Sequence, residues 1–357
     1  MPERITLLDL YPDELAQDIK KRGYPPFRAK QLFGWLHKGA RFDEMTNLPN
    51  ALLRDLKESA IDQSAEIVET QVSYVDGTEK YLFSLPDNNR VEGVLMRYKH
   101  GATVCISTQV GCRMGCAFCA STLEGCVRNL TAGEMLSQVL AVNRLLGDGR
   151  ISNIVLMGSG EPLDNYDEVV RFLRLVSLPE GMGISPRHIS VSTCGLVPEM
   201  RRLAEEKLPI TLSVSLHAPS DEVRLQIMPI AKRYPIEDVM AACRYWVETT
   251  GRRVIFEYAL IDGINADLLH ARALAKLLRG LQCHVNLIPL NDVPERNLRG
   301  VSRLKAERFQ KALEELHIST TIRREMGDDI QGACGQLRRS YLNSPDGEQE
   351  ERLEDSR

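Results

Sequence analysis

The stretch VGCRMGCAFCAST, residues 110–122, places three cysteines at Cys112, Cys116 and Cys119, a C-x3-C-x2-C spacing. Cysteine thiolates are soft ligands, suited to zinc and to iron–sulfur clusters. A structural zinc site takes four ligands, usually as two close pairs. A fourth thiol is not part of this set: Cys105 lies seven residues before Cys112, and Cys126 seven residues after Cys119. Three thiolates can hold a 4Fe–4S cluster and leave one iron open to a small molecule. The alternative is a zinc ion completed by Cys126 or His217, which leaves the chain's other motifs unexplained.

Those motifs sit at regular places. The sequence predicts strands at VCIST (104–108), NIVLM (153–157), HISVST (188–193), ITLSVSL (210–216), VIFEYAL (254–260), HVNLIP (284–289) and ISTTIR (318–323), with helical patterns between them. Alternating strands and helices imply a parallel sheet, as a full or partial barrel or a doubly wound sheet. The cysteines follow the first strand and GSGEPL (158–163) the second. STCG (192–195) follows the third, SLHAP (215–219) ends the fourth and IPLN (288–291) ends the sixth. Parallel α/β folds build their sites at the carboxyl ends of strands, so five motifs at that edge describe one site. One helix is marked at both ends: Thr131 and Glu134 form a capping-box pattern, and Gly147 stands at its close.

Together, CISTQVGCRMGCAFCAST, MGSGEPLDN, SVSTCGLVP, SVSLHAP, NLIPLN and GDDIQGACGQLRR resemble the RlmN/Cfr family of radical S-adenosylmethionine (SAM) RNA adenine methyltransferases. The resemblance extends to about Tyr341 and includes FRAKQLFGWLHK near the N-terminus. It implies an α/β fold, a partial radical SAM β/α barrel with a small mixed N-terminal accessory domain. It implies a 4Fe–4S cluster on Cys112, Cys116 and Cys119, with SAM on the open iron. Gly160 and Glu161 would hold the SAM amino group, and Ser192, Ser215, His217 and Asn291 the rest of the molecule, with Leu216 touching it through its backbone. Cys334 would carry a methyl group from a first SAM, and a radical from a second would activate that group. Glu92 would be the general base and Cys105 the thiol that attacks Cys334 to release the product, leaving a disulfide to be reduced. Carbon 2 of adenine lies between two ring nitrogens and is too electron-poor for polar methyl transfer, so a radical route answers a chemical need. The implied substrate is 23S ribosomal RNA, with transfer RNA as a second candidate; an electron donor and a thiol reductant are implied partners. The Cfr type, which methylates carbon 8, is the near alternative, and a non-catalytic zinc-containing RNA-binding protein the distant one.

The surrounding elements must position these residues. A 357-residue chain with 43% hydrophobic and 26% charged residues has the composition of a soluble globular protein. Its start has no apolar leader pattern and no run is long enough to span a membrane, so a cytoplasmic monomer is expected. Nine cysteines in that setting point to metal or redox chemistry rather than a disulfide framework. We expect an accessory, RNA-binding domain over residues 1–99, helical to about residue 60 and then strand-rich. The barrel and its catalytic-cysteine loop would cover 100–341, and 342–357 would be an acidic disordered tail. Glu92 falls on a strand expected at the edge of the sheet. Residues 345–357 carry six acids and two arginines, which accounts for the whole net charge of −4. Residues 19–42 hold seven Lys or Arg and no acid, and residues 296–311 hold six with only Glu307 as acid. These charges are expected to meet RNA phosphates, whereas Phe27 and Trp35 are expected in the small domain's core.

Overall fold

The computed structural model describes residues 4–99, 101–147, 149–290, 298–324 and 326–330. Asn291, Cys334 and the acidic tail lie outside the described residues. The chain begins with three helices, α1 (Pro12–Lys21), α2 (Phe27–Leu36) and α3 (Asn50–Ser59). Three antiparallel strands follow, β1 (Glu66–Val72), β2 (Glu79–Ser84) and β3 (Arg90–Tyr98). Strand and helix then alternate: β4 (Gly101–Cys105), α4 (Ala132–Leu145), β5 (Ile151–Leu156), α5 (Tyr166–Ser177), β6 (Ile189–Thr193), α6 (Val197–Glu205) and β7 (Thr211–Ser215). The run closes with α7 (Asp221–Ile227), α8 (Ile236–Thr250), β8 (Val254–Leu260), α9 (Leu268–Leu278), β9 (Cys283–Pro289), α10 (Arg303–Glu315) and β10 (Thr320–Ile322).

These ten strands form one sheet, and their order in space is their order in the chain; two short strand pairs, Ile5–Thr6 with Ala60–Ile61 and Gln109–Gly111 with Cys126–Asn129, stand apart from it. From β4 to β10 every neighbouring pair is parallel. A doubly wound sheet reverses its strand order at a switch point; this sheet does not. Its two outer strands are not paired with each other among the described residues, so it is a partial barrel of seven parallel strands extended by three antiparallel ones. The boundary expected near residue 99 falls between β3 and β4, which are hydrogen-bonded neighbours with Val94 opposite Cys105. Strand β3 is therefore an interior strand and not the expected edge.

The helical unit is fixed to the barrel through α4. Thr131 Oγ accepts from Glu134 N–H, and Glu134 answers by accepting from Thr131 N–H, the capping box expected from sequence. Asp9 accepts a second orphan donor of the same helix end, Gly133 N–H, at 2.5 Å. Gly133 has to be glycine: a Cβ there would stand 2.8 Å from Asp9 Oδ1 and 2.9 Å from Asp9 N. Ser137 Oγ accepts from the N–H groups of Ser64 and Ala65, and Arg171 on α5 donates to Asp9 O and pairs with Glu14. One continuous apolar core runs from Leu7 and Leu32 through Met135 and Val139 to Phe309. On α2, Leu32 and Leu36 are buried as expected, but Phe27 is 56% exposed, with the Arg28 guanidinium over its ring. Trp35 is half-buried and donates to Asn47 Oδ1.

Candidate active site

The loop after β4 carries the three cysteines. It is tied down by Cys112 N–H to Gly125 O (2.7 Å), Cys119 N–H to Cys116 O (3.2 Å) and Ala117 N–H to Ile227 O (2.8 Å), the last a contact with α7. Cys112, Cys116 and Cys119 line one side of a cavity of about 320 Å³ at the carboxyl end of the parallel strands. Cys105, the last residue of β4, lines the same cavity, as do Gly160, Glu161, Ser192, Ser215 and His217. Four of the five motifs thus meet at one place, and the fifth, IPLN, reaches it through Ile288, Pro289 and Leu290. Leu216 does not line the cavity; it is fully buried, and its N–H donates to Glu257 O.

Glu161 caps the short turn Pro162–Asn165 and also faces the cavity. Its carboxylate accepts from Leu163 N–H (3.0 Å) and Cys194 N–H (2.7 Å), and burial raises its pKa against those bonds. A buried carboxylate so placed attracts a cationic group. Gly160 adopts φ +109°, and a Cβ there would stand 2.7–2.8 Å from Gln109 and Thr108, so only glycine lets the loop pass. His217, itself left-handed at φ +55°, is buried, which lowers its pKa to about 3, with Arg224 adding a smaller push. The ring is neutral at pH 7. Its Nδ1 accepts from Ala259 N–H (2.9 Å), which puts the ring proton on Nε2. Phe118 from the cysteine loop meets the ring edge-on at 4.8 Å.

Strand β3 presents Val94 and Met96 to the cavity, and Glu92 shares their face by the two-residue period. Glu92 is buried, and its Oε2 lies 3.4 Å from the Nζ of fully buried Lys80 on β2. The strand's place inside the sheet, rather than at the expected edge, is what buries Glu92. The turn between β1 and β2 also grips the segment leading toward Cys334. Ser73 Oγ donates to Asp329 Oδ1 (2.6 Å), Tyr74 N–H to Asp329 Oδ2 (3.1 Å) and Gly327 N–H to Asp76 Oδ2 (3.0 Å).

Sequence reasoning missed several lining groups. Glu257 on β8 is a buried carboxylate with its pKa raised by burial; Asn286 donates to it at 2.8 Å. An acid inside an otherwise apolar strand run was the available signal. Cys194, in the STCG motif, lines the cavity as well, with its thiol hydrogen-bonded to Glu161. Arg323 and Arg324, just past β10, add cations to the mouth. The basic face of α10 is largely neutralised: Arg303 pairs with Glu307, Lys305 with Asp262 and Asp267, and Lys311 with Glu315.

The donor set suits an iron–sulfur cluster. Three thiols on one loop border a space large enough for more than a single ion, and burial holds Cys112 near 12 and pushes Cys116 higher still. Such thiols deprotonate when a metal displaces the proton. Among the described residues no three His, Cys, Asp or Glu side chains already converge on a single ion.

A parallel partial barrel with a three-cysteine loop after its first strand is the architecture of radical SAM enzymes, and residues 106–275 match the model of the Radical SAM superfamily. Residues 5–61 match the ribosomal RNA large subunit methyltransferase N-terminal domain. A relative from Alkaliphilus oremlandii, described as a probable dual-specificity RNA methyltransferase RlmN, is 53% identical over 96% of this chain and 100% of its own length. One from Clostridium perfringens with the same description is 52% identical over 95% and 98%. The crystal structure of a radical SAM methyltransferase from Sphaerobacter thermophilus superposes with a TM-score of 0.90 at 45% identity, covering 93% of this chain and 98% of that one. The chain therefore belongs to the RlmN family of radical SAM RNA methyltransferases, whose cofactors are a 4Fe–4S cluster and SAM. None of its described helices is long and apolar enough to cross a membrane.

Proposed function

We propose that this enzyme methylates carbon 2 of adenosine in 23S ribosomal RNA and in transfer RNA, passing the methyl carbon through Cys334. The observation that carries the reading is the single cavity that brings Cys105 together with Cys112, Cys116 and Cys119. When bound, the cluster and SAM supply the methyl group and the radical that activates it. Cys112, Cys116 and Cys119 hold the cluster. Glu161 orients the SAM ammonium, and the Nε2–H of His217 offers a neutral donor, with Ser192 and Ser215 lining the path between. Asn291 is the remaining proposed SAM contact.

Cys334 carries the carbon to the base. Glu92, aimed along the cavity-facing side of β3 and paired with Lys80, takes the proton from carbon 2. The Cys105 thiolate then attacks the sulfur of Cys334. That forms the disulfide and breaks the sulfur–carbon bond, whose electron pair stays with the carbon attached to adenine; this carbon takes up a proton to become the methyl group. A thiol reductant and an electron donor restore the enzyme. The N-terminal unit offers RNA a cationic surface in Lys20, Lys21, Lys30 and Lys38, all exposed and none paired with a described carboxylate. The target base has to leave its stack to enter the cavity.

The test separates the two thiols. Cys105→Ala blocks only release, so it should accumulate protein covalently joined to RNA, a nuclease-sensitive band of reduced mobility under denaturing conditions. Cys334→Ala and the double variant should show none. An adduct in Cys334→Ala, or none in a Cys105→Ala protein that still cleaves SAM, overturns the assignment. Mass spectrometry of digested product RNA that finds carbon 8 modified overturns the choice of position.

A further inference from the structure

Arg224 lies on α7 with its side chain fully buried. Its Nη2 donates to Cys194 O at 2.6 Å and its Nη1 to Tyr234 O at 3.2 Å. Its Nε is buried with no hydrogen-bond partner among the described residues. Both partners are neutral carbonyls. Asp221, one turn earlier, is engaged by Ile236 N–H at 2.8 Å. Among the groups that favour the charge on Arg224, Cys194 and Cys116 rank ahead of Asp221. A guanidinium out of water with no carboxylate hydrogen-bonded to it among the described residues is costly and calls for an anion nearby.

The anion is within reach of the same helix. The end of α7 underlies the cysteine loop: Ile227 O accepts at 2.8 Å from the N–H of Ala117, the residue after Cys116. Met228, the next residue, lines the cavity. Pro229 lies 3.5 Å from where a Cβ of Gly115 would stand. Once Cys112, Cys116 and Cys119 are thiolates, the loop holds three negative charges. A cluster core neutralises them only in part, and each added electron makes the assembly more anionic.

We propose that Arg224 is the buried counter-charge of the iron–sulfur cluster and sets its reduction potential. The proposal rests on the assignment of the three cysteines as cluster ligands. The sign follows from charge. A fixed cation favours the more anionic, reduced state, and protein charge and burial are among the factors that set cluster potentials. A unit charge about 10 Å away at an effective dielectric of about 20 changes a one-electron equilibrium by roughly tenfold. Arg224→Met should therefore lower the ratio of reduced to oxidised cluster at a fixed poise about tenfold, a shift of about 59 mV toward negative potential. Arg224→Lys keeps the charge and should move less than half as far.

The experiment uses the full chain, purified and reconstituted without oxygen. Iron per chain, circular dichroism of the cluster-free protein and a redox titration followed by electron paramagnetic resonance are the readouts. Wild type that takes up no iron removes the cysteine assignment and this proposal with it. Iron in both proteins with an unchanged potential in Arg224→Met overturns the proposal alone. Cluster-free Arg224→Met should still fold, because without the cluster the cation has no anion to lose. If it is unfolded, the arginine serves the fold and the proposal fails. A folded Arg224→Met that takes up less iron supports the proposal when Arg224→Lys restores uptake, and opposes it when Arg224→Lys does not.

Discussion

Replacing Lys80 by Met should cost the protein more stability than any single surface change. Lys80 is fully buried on β2, and its Nζ lies 3.4 Å from Glu92 Oε2, whose side chain is 5% exposed. Methionine keeps most of the stem's volume, so the loss is chiefly the charge. Removing one member of a buried ion pair takes a counter-charge from the other and costs about 3–5 kcal/mol. A 357-residue chain has an unfolding entropy near its melting point of about 0.75 kcal/mol/K, from roughly 2.1 cal/mol/K per residue. The melting temperature should then fall by about 4–7 °C in anaerobic scanning calorimetry. The Lys80→Met, Glu92→Leu double variant should recover part of that loss, because the carboxylate that lost its counter-charge is removed with it. It should still fail to methylate RNA if Glu92 is the base. A Lys80→Met protein that melts within about one degree of wild type would refute the view that the pair is buried and ionised.

Cys116→Ala should hold no cluster and cleave no SAM, read by iron content and by deoxyadenosine release; retained cleavage would remove Cys116 from the ligands. Gly160→Ala forces a Cβ to within 2.7 Å of Gln109 at a left-handed φ, so SAM binding measured by calorimetry should weaken at least tenfold, and unchanged binding would mean that the loop does not shape the SAM site. Burial lowers the pKa of His37 to about 4. The unfolded chain takes up that proton below about pH 6.5 and the folded one only near 4, so acidification destabilises the fold. The cost is about 2 kcal/mol between pH 6.5 and 5, and it should be missing from the urea-denaturation profile of His37→Phe. Neutralising Lys20, Lys21, Lys30 and Lys38 together should weaken RNA binding and lower the slope of log K against log salt by about 0.7–0.9 per lost phosphate contact, and an unchanged slope would leave them as plain solvated charges.

The parallel part of the sheet was readable because each strand is a short run of β-branched and apolar residues followed by a polar or glycine-rich motif. All seven were found, and the motif positions placed the cavity. What the sequence does not carry is which strands become neighbours. Glu92 looked like a surface acid because its strand was expected at an edge; pairing with β2 and β4 buries it beside Lys80. The same blindness applies to charges. Lys305 has only Glu307 near it in sequence, yet its partners are Asp262 and Asp267, which follow β8 about forty residues earlier in the chain. Arg224 looked like one more helical cation, and only the packing of α7 under the cysteine loop shows that it is enclosed. Phe27 was expected inside with Leu32 and Leu36, but five and nine residues of helix turn it about 140° and 180° away from them. It stays exposed.

A sheet laid down in chain order can be assembled as the polypeptide emerges from the ribosome. Each new strand finds its neighbour already made, so most pairings are local in sequence and quick to form. N-terminal parts fold first during synthesis, and α4 arrives soon enough to receive the helical unit. The grip of the Ser73–Thr78 turn on residues 327–329 is different, since its hydrogen bonds join residues 251 to 256 positions apart. They can close only after residue 329 has been made, long after the turn itself. A stalled or truncated chain could therefore own a cysteine loop and most of a barrel, yet lack the anchor for the segment that leads to Cys334. The order of synthesis thus places the fastening of the segment before Cys334 last, after the barrel and its cysteine loop.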